Sequence, residues 1–177
     1  MATEPLAVDR TSQPAEDSHD MTPNIGLRDG DRQAVIAILN TLLADEYLLY
    51  TKTRNYHWNV TGLSFNDLHK FFEAQYEALD DVVDEVAERV RALGGRAAGT
   101  LEEFRKSARL PEEPGVAPAA REMLATLLAD HEALARTLRA DVDAVTDKFK
   151  DAGTADFLTG LLEQHEKSAW MLRSFLG

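Results

Sequence analysis

Phe65, Leu68, Phe72, Tyr76, Leu79, Val83, Val86, Val90 and Leu93 follow one another at steps of three and four residues. That is the period of an α-helix with one apolar face, sustained for about eight turns. The stripe stops at Gly94-Gly95, a strong helix terminator, and Ser64 with Asp67 reads as a capping box at its start. A helix of this kind must bury its face against other helices.

The rest of the chain supplies them. From Asp31, an N-cap candidate, Val35, Ile38, Leu39, Leu42 and Leu49 form a stripe interrupted by Glu46, running to about Val60 before Thr61-Gly62. A third helix is expected from Pro118 to Phe149, with Leu124, Leu127, Leu134, Leu138 and Val145 inward. A fourth is expected from Thr154 to Phe175, with Leu158, Leu161, Leu172 and Leu176 inward. Residues 95–117 hold two prolines and three glycines, a long connection in which Thr100-Leu101-Glu102-Glu103 marks a short helix. Strand-like alternation is absent. Four amphipathic helices with a long middle crossover is the ferritin-like, all-α arrangement. Residues 1–30 contain three prolines, no lysine and no sustained apolar period, and are expected as a flexible tail ahead of a bundle over 31–177.

Composition narrows the chemistry. Cysteine is absent from the 177 residues, so disulfides, thiolate metal sites and cysteine nucleophiles are excluded, and a metal must be held by His, Asp or Glu. The formal net charge is −12, which repels nucleic acid and attracts hard cations. No uniformly apolar run of bilayer-spanning length stands out. With no apolar leader at the N-terminus, a cytoplasmic location is the default.

Carboxylate-bridged di-iron bundles carry Glu-x-x-His on their helices. Here the residues three before the histidines are Glu16, Arg54, Asn66, Leu128 and Leu162, and only Glu16 fits, before His19 in the tail. A different constellation is present. His57 closes the first helix and His69 opens the second; Glu73 lies one turn further, and Asp84 and Glu88 share a face beyond it. Fifteen residues of helix put His69 and Asp84 roughly 22 Å apart, too far for one ion within one chain. Two such helices packed antiparallel about a two-fold axis would bring the histidine end of one to the carboxylate end of the other. Imidazole with carboxylate suits ferrous iron, with zinc or manganese as competitors.

The run Asn55-Tyr56-His57-Trp58-Asn59-Val60-Thr61-Gly62, then Phe65, Leu68-His69, Phe72-Glu73, Asp84-Glu85-Val86-Ala87-Glu88-Arg89 and Leu93-Gly94-Gly95, resembles the Dps family, the mini-ferritins or DNA-binding proteins from starved cells. The likeness continues through Thr100-Leu101-Glu102-Glu103-Phe104 to Trp170-Met171 and Phe175-Leu176-Gly177. It implies a hollow homododecamer with ferroxidase sites at two-fold interfaces. There His57 and His69 of one subunit would bind iron with Asp84 and Glu88 of its mate, Glu73 would bridge, and Trp58 would lie close by to quench oxidising equivalents. It implies an oxidoreductase that oxidises Fe(II) with hydrogen peroxide or dioxygen, stores the ferric product and limits oxidative stress. Asp147, Asp151 and Asp156 fall where the family lines three-fold pores with acids; an aspartate that some relatives have before the fourth helix is Ala152 here.

Other readings of these residues stand beside that one. Asp80, Asp81 and Glu85 neighbour Asp84 and Glu88, and spacing alone does not choose among them. Glu73 has Lys70 and arginines as alternative partners. Glu46 reads as a structural hydrogen-bonding residue, His131 and His165 as core histidines, and Asp17, His19 and Asp20 as a solvated polar segment. DNA binding is expected to be weak or absent, and nucleoid association with it, because seven acids oppose three arginines through residue 32. A metal-binding assembly without catalysis is the remaining alternative.

Overall fold

The computed structural model describes residues 22–177, and among these every regular element is a helix. They are α1 (Asp29–Asn59), α2 (Phe65–Ala92), α3 (Leu101–Ser107), α4 (Ala120–Asp147) and α5 (Ala152–Leu176). Most of the expected tail, including Asp17, His19 and Asp20, lies outside the described residues.

The periodic positions became the core. Leu68, Phe72, Leu79, Val86, Val90 and Leu93 of the α2 stripe are buried, with Val82 beside them, while Phe65 at the helix start stays exposed. Leu39, Leu42 and Leu49 of α1, Leu127 and Leu138 of α4, and Leu158 and Leu172 of α5 meet them. Each such side chain removed from water contributes about 1.5–3 kcal/mol. Helix α1 packs along α2 and α4 along α5; α1 also meets α4 and α2 meets α5, which closes a four-helix bundle. By length and composition α1, alone among the described helices, could cross a bilayer, against the reading of the bare sequence, with a mean hydropathy of 1.3 over its best window. Its apolar face is instead the centre of the bundle core.

Two helix starts differ from the expected ones. Ser64 caps α2 by position, but its side chain makes no capping bond. Asp31 is not an N-cap: α1 begins at Asp29, and Asp31 turns back to pair with Arg28 at 2.6 Å. The box at Thr100 and Glu103 is complete, with each side chain accepting from the other's backbone N–H. Glycine is required where α2 ends: Gly94 has φ +76°, and a Cβ there would lie 2.5 Å from Pro23 Cδ.

The crossover between α2 and α4 is strapped to α1 by three side chains. Asn40 bonds Arg96 O and Ala98 N. Buried Asp45 accepts from the backbone N–H groups of Arg109 and Leu110 and from Arg109 Nε. Lys52 donates to Pro111 O and to the Asp130 carboxylate. These bonds hold the long connection along α1.

Candidate metal centre

Five residues, 60–64, join α1 to α2, so the end of one helix lies beside the start of the next. That turn stacks the rings of His57 and His69, with centroids 3.7 Å apart and planes 18° from parallel. The two are tied reciprocally: His57 Nδ1 lies 2.8 Å from the backbone O of His69, and His69 Nδ1 lies 2.8 Å from the backbone O of His57. A carbonyl oxygen only accepts, so each Nδ1 carries a hydrogen and each neutral ring has its lone pair at Nε2. Neither Nε2 has a hydrogen-bond partner among the described residues. Fixing one ring nitrogen on a backbone carbonyl is how proteins set the tautomer and tilt of a metal-binding histidine. Phe65 stacks on His69 at 5.0 Å and Tyr76 stands edge-on to His57 at 5.2 Å, which restrains both rings.

The carboxylates are not with them. Asp84 and Glu88 are exposed further along α2, with no hydrogen bond or ion pair among the described residues. Glu73 is half-buried and pairs with neither Lys70 nor an arginine there. No three His, Asp or Glu side chains among the described residues converge on a point that would hold one ion. A single chain thus presents two oriented imidazoles at one end of α2 and two unpartnered carboxylates toward the other.

Trp58 is 65% exposed beside this pair. The Arg54 guanidinium lies over its ring at 5.5 Å and over those of Tyr50 at 5.7 Å and Tyr76 at 5.1 Å, a cation–π cluster that fixes the surface next to His57.

At the α4–α5 turn, Asp147 and Asp156 are exposed. Asp151 is buried and serves as the N-cap of α5: its carboxylate accepts from Thr154 N at 3.0 Å and Thr154 Oγ1 at 2.5 Å and pairs with Arg89 at 3.3 Å. Both of its oxygens accept hydrogen bonds within the subunit.

Glu46 is a hydrogen-bonding residue and His131 and His165 are core histidines, as expected, but sequence reasoning did not foresee that the three meet. Glu46, His131 and His165 are linked inside the bundle: His165 Nε2 lies 2.8 Å from Glu46 Oε1, and the Nδ1 atoms of the two histidines are 2.9 Å apart. Burial, and next to it the neighbouring His165, hold His131 well below the usual histidine range. Glu46 standing in the apolar stripe of α1 was the available signal.

The ferritin-like domain family matches residues 36–177. A low temperature-induced protein of Nostoc sp., itself uncharacterised, is 54% identical over 86% of each chain. The DNA protection during starvation protein 2 of Bacillus anthracis is 35% identical over 80% of this chain and 96% of its own. Among solved structures, a Dps protein from Vibrio cholerae O1 superposes with a TM-score of 0.83 at 31% identity, covering 88% of this chain and 97% of that one. It is described as a member of a broad superfamily of ferritin-like diiron-carboxylate proteins. A Dps protein from Bacillus brevis gives a TM-score of 0.80 at 34% identity, covering 85% of this chain and all of that one.

Proposed function

We infer the function of this chain from its family: it belongs to the ferritin-like domain family and, within it, to the Dps proteins. Ferrous iron is its substrate. Two subunits pair with their α2 helices antiparallel about a two-fold axis, so that His57 and His69 of one face Asp84 and Glu88 of the other. Glu73 bridges, and each pair of subunits builds two identical sites. The imidazole nitrogens hold Fe(II), and the carboxylates favour the ferric product as charge develops.

Hydrogen peroxide accepts one electron from each of two ferrous ions and takes up two protons, its O–O bond breaking to leave two water molecules, and the ferric ions then hydrolyse with release of protons. The ferric product collects inside a hollow dodecamer. Trp58 stands where a stray oxidising equivalent would leave the site. Asp147 and Asp156, exposed at the α4–α5 turn, draw cations toward a three-fold channel.

The reciprocal bond between His57 and His69 carries this reading. It spends both Nδ1 atoms and leaves two Nε2 lone pairs without a hydrogen-bond partner among the described residues. The unpartnered Asp84 and Glu88 are the complementary half. Relatives carry names that speak of DNA protection; in this chain protection comes from removing iron and peroxide, because a net charge of −12 opposes contact with phosphates.

Stopped-flow oxidation of anaerobically loaded Fe(II) tests the proposal, with peroxide compared against dioxygen. Fast peroxide-dependent oxidation that disappears in assembled His57→Ala/His69→Ala protein is expected. Unchanged kinetics in that variant would refute the site.

A further inference from the structure

The buried cluster of Glu46, His131 and His165 has no part in the reaction above. We propose that it is a second metal site lying wholly within one subunit, where the Nδ1 atoms of His131 and His165 together bind one borderline divalent cation of the Zn(II) type.

Each long helix sends a polar side chain to this region: Glu46 from α1, Gln75 from α2, His131 from α4 and His165 from α5. Glu46 is 0%, His131 2% and His165 3% exposed. The carboxylate of Glu46 accepts from His165 Nε2 at 2.8 Å, which places the His165 lone pair at Nδ1. His131 Nδ1 faces that lone pair at 2.9 Å. Nitrogen ligands on a tetrahedral ion with bonds of about 2.0 Å sit about 3.3 Å apart, so a shift of a few tenths of an ångström admits the metal. His131 Nδ1 carries the hydrogen of that contact now; on metal binding it moves to His131 Nε2, and the cation sits off the N···N line, where both Nδ1 lone pairs reach it. Glu46 behind His165 then completes a carboxylate–histidine–metal relay, which orients the ring and raises its basicity.

The metal-free arrangement leaves clear deficits. Glu46 Oε2, His131 Nε2 and both polar atoms of Gln75 are buried with no hydrogen-bond partner. The Glu46 carboxylate sits in the core with no Lys or Arg against it, its one polar contact being His165. Unpartnered buried polar atoms are rare and costly, and a buried carboxylate without a counter-charge more so. A divalent cation supplies that charge. Room for the remaining ligands exists in a cavity of about 340 Å³ between α2 and α5, lined by Gln75, His131 and His165 with Phe71, Leu79 and Met171. Water there completes the coordination sphere. The site shares no residue with the two-fold centre and stands whether or not that centre oxidises iron.

The test uses the full, assembled, chelator-stripped protein in a His57→Ala/His69→Ala background, titrated with Zn(II) by calorimetry. One zinc per chain should bind, Glu46→Gln should weaken it by about 10–100-fold, and His165→Gln should abolish it. Absence of saturable binding in the background protein, or binding unchanged by His165→Gln, overturns the proposal. Should either core variant fail to assemble, zinc-edge anomalous diffraction of Zn(II)-soaked unmodified protein decides. A peak within bonding distance of both Nδ1 atoms supports the site; no peak there refutes it.

Discussion

A site divided between two subunits can be rebuilt from two defective chains. One chain carries His57→Ala/His69→Ala and the other Asp84→Ala/Glu88→Ala, so neither alone completes a site. The reason is the length of α2: His69 and Asp84 are roughly 22 Å apart along the helix axis, far beyond the reach of one ion's ligands. When equal amounts co-assemble at random, about half of the two-fold pairs are mixed. Each mixed pair has one complete site and one lacking every altered ligand, so about a quarter of all sites return. Peroxide-dependent Fe(II) oxidation in stopped flow should therefore recover to about a quarter of the unmodified amplitude in the mixed shells. Each variant assembled alone should stay near the buffer rate. Mixed shells of normal size that show no recovery would refute the division of ligands, because a site contained in one chain gains nothing from mixing.

Other consequences concern the frame that holds the site. Asp45→Ala leaves the N–H groups of Arg109 and Leu110 without their acceptor and should destabilise the subunit by roughly 2–4 kcal/mol. Denaturant unfolding would show it as a lower midpoint, and hydrogen exchange should quicken first in the crossover. The Asp141 carboxyl is raised from its ordinary value, chiefly by burial, with Arg109 opposing and Asp45 adding to the rise. A carboxyl raised by folding stabilises the subunit only while protonated and loses that contribution as pH rises through its folded value. Asp141→Asn should therefore melt at or above the unmodified protein at pH 7, the difference closing as the buffer is acidified toward the carboxylate range; a lower melting temperature at pH 7 contradicts the argument.

The helices were legible because burial imposes a period on sequence: every inward leucine assigned to α4 and most of those in α5 are buried. Helix starts were less so. Whether Ser64 or Asp31 caps depends on backbone angles and on which donor lies nearest, and Arg28 captured Asp31. Asp151 illustrates the same limit, since an acid before a helix reads equally as a cap or as a channel lining until its partners are seen. His57 and His69 stood out by their places at two helix ends, whereas the choice of Asp84 and Glu88 over Asp80, Asp81 and Glu85 came from the family resemblance. The bonds that orient the two rings did not stand out, because each runs from a side chain to a backbone carbonyl 12 residues away. The Glu46–His165 link spans 119 residues, and no local pattern announces it.

The most direct measurement is iron-edge anomalous diffraction from crystals of the assembled protein loaded anaerobically with Fe(II). The account predicts density bonded to Nε2 of His57 and His69 in one subunit and to the carboxylates of Asp84 and Glu88 in its two-fold mate. Iron bound anywhere else, with that interface empty, would contradict it.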